Sequence, residues 1–226
     1  VGGAGLGLAY VSPVSALVKW FPDRRGLATG MAVLGFGGGA LIAAPVEERL
    51  IQAYGVADAL WILGAVYFTV MIAAAQILAR PPEGWKPDGF VPKAMAAGEL
   101  TMPMAVRTRQ FWLLWGMLFI NIGAGISILA QASPMMQDLF GKTPEEAAVM
   151  VSIIAGFNAF GRIFWSSLSD RIGRKTVFMI FFAVQAGLFA AIPMLAHSGQ
   201  WSLFQAAVVV IFTMYGGGFA TIPAFL

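Results

Sequence analysis

The sequence contains no cysteine, one histidine and few charges: 11% of its 226 residues are charged, against roughly a quarter in soluble domains. Without cysteine there is no disulfide framework and no thiol chemistry. Sparse charge, 59% hydrophobic residues and a mean hydropathy of +0.79 exclude a soluble globular domain, a disordered chain and a nucleic-acid module. A membrane enzyme would need a catalytic set. The chain has no His-Glu-x-x-His pattern and no carboxylate pair inside an apolar run, so no enzyme, metal or cofactor is expected. A retinal protein would need a lysine inside a helix, but Lys19, Lys86, Lys93, Lys142 and Lys175 all lie in loops or at the ends of apolar runs. A channel would want charged rings or a filter, and neither is visible.

The sequence is rich in long uncharged runs. A helix needs about 20 apolar residues to cross the hydrocarbon core. Seven stretches qualify: Val1–Val18, Leu27–Val46, Ala59–Ala79, Phe111–Gln137, Ala147–Ser169 (interrupted only by Arg162), Val177–Ala196 and Trp201–Leu226. They predict an all-α integral membrane protein lying in a lipid bilayer. An outer-membrane barrel would instead alternate apolar and polar residues. Val1 and Leu226 both lie inside apolar runs, which is expected of a piece of a larger chain.

The positive charges fall on one side. Lys19, Arg24 and Arg25 follow the first run; Arg80, Lys86, Lys93, Arg107 and Arg109 separate the third and fourth; Arg171, Arg174 and Lys175 follow the fifth. The other side holds Arg49 and Lys142 among Glu47, Glu48, Asp58, Asp138, Glu145 and Glu146. The positive-inside rule places loops 19–26 and 169–176 and the segment 81–109 in the cytoplasm. It also explains the basic pI of 9.5 without a nucleic-acid partner. Segment 81–109 carries Pro81, Pro82, Pro87, Pro92 and Pro103, which predicts an irregular linker. It divides the chain into 1–80, with three runs, and 110–226, with four. The turns FPDRRG (21–26) and SDRIGRK (169–175) echo each other, as in two related halves, although Asp, Arg and Gly are also ordinary in short loops.

Arg162 is the charge inside a run. It sits eight residues before Asp170, roughly 12 Å along a helix. Burying it costs about 2.5–3.5 kcal/mol on insertion scales, so it must face a cavity or a partner, or snorkel to the interface. Asn158, Arg162, Ser166 and Asp170 share one helical face, a polar stripe that reads as a water-filled path. No Asp or Glu in the runs is placed to neutralise Arg162, and a planar guanidinium suits a carboxylate. Tyr10 and Tyr215 lie in mid-run, where a tyrosine either lines a cavity or packs. Gln131 and Asn121 are either pore polars or helix–helix hydrogen-bonding groups. Gly35-Phe-Gly-Gly-Gly39 predicts a close-packing surface.

The segment Gly161-Arg162-Ile-Phe-Trp165-Ser-Ser-Leu-Ser169-Asp170-Arg171-Ile-Gly173-Arg174-Lys175 resembles the signature loop of the major facilitator superfamily, found after the second and the eighth helices. As the second copy it implies that the seven runs are helices four to ten of twelve, with 81–109 as the central linker. KWFPDRRGLATG (19–30) and YGGGFATIP (215–223) resemble the oxalate/formate antiporter-like branch over essentially the whole chain. The resemblance implies alternating access and exchange of small carboxylate anions across the cell (inner or plasma) membrane by a monomer. Arg162 would be the substrate charge, with Asn158, Tyr10, Tyr215 and Gln131 around it. Asp170, Arg171, Gly173, Arg174 and Lys175 would form a cytoplasmic gating turn. A second binding charge would lie beyond Leu226, among the remaining helices of the same chain. A proton-coupled monocarboxylate symporter is the alternative. It would need a titratable group in the bundle, and only Glu47 and Glu48 are near.

Overall fold

The structure, a computed structural model, describes residues 2–82, 84–87, 89 and 102–225. Every regular element among them is helical: α1 (Gly2–Trp20), α2 (Arg25–Ile77), α3 (Met102–Ala105), α4 (Arg109–Phe140), α5 (Pro144–Ile172), α6 (Arg174–His197) and α7 (Trp201–Thr221), which tightens into a 3₁₀ turn, Ile222–Phe225. Five stretches among the described residues are long and apolar enough to span a membrane: Arg49–Ile77, Arg109–Phe140, Pro144–Ile172, Arg174–His197 and Trp201–Ala224. The first two apolar runs fall in α1 and the first part of α2. Residues 83, 88 and 90–101 of the expected linker lie outside the described residues.

The boundaries follow local chemistry. Thr108 caps α4 by accepting a hydrogen bond from the Phe111 N–H at 3.2 Å. Thr143 and Glu146 form a reciprocal capping box at the start of α5, with Pro144 in the first turn. Gly173 alone separates α5 from α6, and its φ of 89° is a conformation that costs a residue with a Cβ.

α2 corrects one expectation. The second apolar run ends at Val46, before the charged residues Glu47, Glu48 and Arg49. The helix instead runs on to Gly55, whose φ is 81°. Glu, Arg, Gln and Ala are good helix formers, so charge alone does not end it. A straight helix of these 53 residues would be ~80 Å long. Yet the Trp20 indole N–H, before α2 begins, donates to the Ala79 carbonyl, just past its end, at 2.9 Å. The two ends of α2 therefore lie together, and the chain reverses at Gly55. Trp85 secures the same corner, donating to the Trp20 carbonyl at 3.2 Å and packing edge-on against its ring.

α5 and α7 form the centre of the bundle. Met150 and Ile154 of α5 pack with Phe204, Val208, Ile211 and Phe212 of α7, and Ile128, Ala132 and Met136 of α4 close the cluster. Lipid-embedded helices gain little from expelling water, so close approach and interhelical hydrogen bonds hold them. A methyl group at Gly161 would strike the Thr213 backbone, and one at Gly216 would strike the Asn158 backbone. Large apolar side chains face outward, Trp61 at 80% exposure and Trp112 at 57%, as suits a lipid-facing surface.

The expected packing surface at Gly35–Gly39 is also corrected. Among the described residues, a methyl group at Gly35, Gly38 or Gly39 would meet nothing within 4 Å. The close contact of α2 is instead made by Gly26 and Gly30. A methyl group at Gly30 would strike the Ser166 hydroxyl and the Arg162 carbonyl, and one at Gly26 would strike the Ser166 carbonyl and the Asp170 carboxylate.

Candidate functional site

Arg162 is 4% exposed, with Asn158 at 7% and Ser166 at 0%. Its Nε faces the Asn158 Oδ1 one turn earlier at 3.4 Å, and its Nη1 donates across to the Val33 carbonyl of α2 at 2.6 Å. The guanidinium lies over the Phe219 ring of α7, 5.3 Å from its centroid. That ring packs against Tyr10 of α1, with centroids 5.8 Å apart. Tyr215 lies one turn before Phe219 on α7. Four helices thus converge on one buried cation: α5 carries it, α2 supplies a carbonyl, and α1 and α7 supply rings.

Tyr215 is itself buried. Its ring fills the space where a side chain at Gly125 of α4 would lie, and it meets Phe212 edge-on. Its backbone carbonyl accepts from Asn121 Nδ2 at 3.2 Å. Asn121 is therefore the α4 amide that joins helices. Gln131, ten residues further on and about 15 Å along the axis, is exposed and stands apart from the cluster.

The polar stripe on α5 does not line an open path over its whole length. Ser166 is sealed against Gly30, and its hydroxyl donates to its own helix, to the Arg162 carbonyl and to the Ile163 carbonyl. At the end of the stripe, Asp170 accepts from the Gly26 N–H at 2.9 Å and from the Leu27 N–H at 3.1 Å. These N–H groups belong to the first turn of α2, where the backbone has no intrahelical acceptors and the helix dipole is positive. Arg24, at the N-cap position, provides no side-chain cap. A carboxylate from α5 therefore caps α2. Arg174 holds the same carboxylate at 3.5 Å. Arg171 and Lys175 are exposed beside this turn, and Gly173 closes it.

Phe219 and the Val33 carbonyl were not singled out in the sequence. Phe219 follows Tyr215 by one turn, so it shares a face of α7, and that spacing is the signal it leaves. A backbone carbonyl leaves no signal in residue type. The pair Gly26 and Gly30 was legible as a small residue recurring after four positions.

Comparison with known proteins bears on this arrangement. The oxalate:formate antiporter of Oxalobacter formigenes is 32% identical over 225 residues, covering 98% of this chain and 52% of that protein. Apicoplast pyruvate carrier 1 of Toxoplasma gondii is 26% identical, covering 98% and 51%. Human monocarboxylate transporter 11 is 24% identical, covering 96% and 46%. The chain thus spans about half the length of these relatives, which are transporters, not enzymes. The family described as Major Facilitator Superfamily matches residues 1–226, and the chain belongs to it.

Proposed function

We propose that this multi-pass membrane transporter exchanges small carboxylate anions of the oxalate and formate type, with Arg162 as the binding charge. The observation that carries the proposal is a guanidinium buried among four helices within a bilayer-spanning bundle. A planar fork of donors matches a carboxylate, and a site walled by aromatic rings excludes water and strengthens the attraction. The relation to an oxalate:formate antiporter supports the substrate class. Asn158, Tyr10 and Tyr215 complete the site.

The mechanism is alternating access, in which 1–80 and 110–226 belong to two halves that rock about the anion and 81–109 links them. Asp170 latches the cytoplasmic end by capping α2. Reorienting the buried Arg162 cation without a bound anion is costly, so the empty carrier reorients slowly and the loaded one quickly. That asymmetry makes an exchanger. We place the protein in the cell (inner or plasma) membrane as a monomer, with loops 19–26 and 169–176 cytoplasmic.

Two results test this reading. Uptake of labelled oxalate by the full-length protein in proteoliposomes should require formate or oxalate inside the vesicles. A second reading is proton-coupled monocarboxylate symport, whose substrate class matches the names of the pyruvate carrier and monocarboxylate transporter among the relatives. It would give uptake into empty vesicles driven by a pH gradient. For the latch, Asp170→Asn keeps the shape but loses charge-assisted hydrogen bonds worth ~1 kcal/mol against the helix dipole. Exchange rate should change by at least about threefold, with oxalate affinity within about twofold. An unchanged rate would remove the latch from the account.

A further inference from the structure

Resting on the reading of Arg162 as the anion site, we propose that Phe219 is a positioning residue that holds the guanidinium in register for the carboxylate through the face of its ring. The Arg162 guanidinium lies over that ring at 5.3 Å. Two of the hydrogen bonds of the group are weak anchors. The bond to Asn158 is long, at 3.4 Å, and the bond to the Val33 carbonyl comes from α2, a helix that must separate from α5 in an alternating-access cycle. The ring is a contact of a different kind. Guanidinium N–H groups lie in the plane of the group, so a ring face attracts the cation without competing with the carboxylate for donors.

The ring is itself well placed to act as a reference. Phe219 sits one position past Gly216–Gly218, where α7 lies directly on α5 and α4: a methyl group at Gly216 would strike the Asn158 backbone, at Gly217 the Trp165 side chain and at Gly218 the Asn121 side chain. This locks the stretch of α7 before Phe219 to the helix that carries Arg162. On its other side the ring packs with Tyr10 and within the cluster of Val14, Val33 and Ala220. α7 therefore keeps Arg162 aimed while α2 comes and goes. A Phe four residues after a site tyrosine becomes part of the site by setting the orientation of its charge.

The test compares oxalate affinity and exchange rate in the full-length protein carrying Phe219→Tyr, Phe219→Leu or trifluorophenylalanine at 219. Leu keeps apolar volume and loses the ring; fluorination keeps the shape and withdraws electrons from the face. A cation–ring contact of ordinary strength corresponds to an affinity loss of about fivefold. Leu and the fluorinated ring should both raise the KM for oxalate by about that factor, with maximal rate within about twofold, and Tyr should retain wild-type affinity. In an Arg162→Gln background the Phe219 changes should have no further effect on affinity. Phe219→Met replaces Leu if the Leu variant does not fold. Wild-type affinity in the fluorinated and ring-less variants, alongside a large loss in Arg162→Gln, would overturn the positioning role and leave the anion site standing. Unaltered affinity in Arg162→Gln would overturn both.

Discussion

Replacing Arg162 by glutamine is expected to lower oxalate affinity by about 100-fold. The substitution removes the charge and cuts the five in-plane N–H donors of the guanidinium to the two of an amide. Truncating one partner of a buried, charge-assisted contact costs roughly 2–5 kcal/mol, so 100-fold is near its lower end. Glutamine places its amide nitrogen near the position of Nε and can still reach the Asn158 amide, which limits damage to the fold. Arg162→Lys separates charge from geometry. It keeps the cation but loses the fork, and its affinity should fall between those of the glutamine variant and the wild type. Equilibrium binding of labelled oxalate to purified full-length protein reads both. Equal affinity in all three proteins would show that the anion binds elsewhere.

The second large effect is expected at Gly30. An added methyl group would press on the Ser166 hydroxyl and on the Arg162 carbonyl, and the latter is backbone that cannot swing aside. Over-packing of this kind typically costs ~1–3 kcal/mol. Here it falls on the contact between α2 and α5, between the latch at Asp170 and the hydrogen bond from Arg162 to Val33. Gly30→Ala should therefore reduce exchange by about tenfold or more and lower the melting temperature. Gly35→Ala is the matched control. It makes the same chemical change on the same helix, where nothing lies within 4 Å. Alanine favours a helix over glycine by about 0.5–1 kcal/mol, so this variant should be neutral or slightly more stable. If both variants behaved alike, the close approach of α2 to α5 would not be the transport-competent contact.

Much of the fold was legible because a bilayer imposes one dominant rule, and long uncharged runs answer to it. Where that rule is silent, the reading failed. Glu47, Glu48 and Arg49 end the uncharged run at Val46, yet helix formation tolerates them, and the helical backbone is interrupted at Gly55. The two α4 amides show a similar limit. Asn121 and Gln131 differ by roughly 80° around the helix, and residue type does not say which side faces a partner. Asn121 reaches the Tyr215 carbonyl, whereas Gln131 is exposed. The buried charge at Arg162 was legible because its cost demands an explanation. Its neighbours were less so: Val33 contributes only a backbone carbonyl, and Phe219 is one of 18 phenylalanines. The Gly35–Gly39 run drew attention by its density, while the contact is made by the sparser pair Gly26 and Gly30.

The central claim is that a carboxylate anion is carried on Arg162 by exchange. The most direct measurement is labelled-oxalate uptake by the full-length protein in formate-loaded and in empty vesicles, run side by side for the wild type and Arg162→Gln at matched protein incorporation. The account predicts rapid uptake by the wild type into loaded vesicles, little into empty ones, and background uptake by the variant in both. Undiminished formate-driven uptake by Arg162→Gln would contradict it.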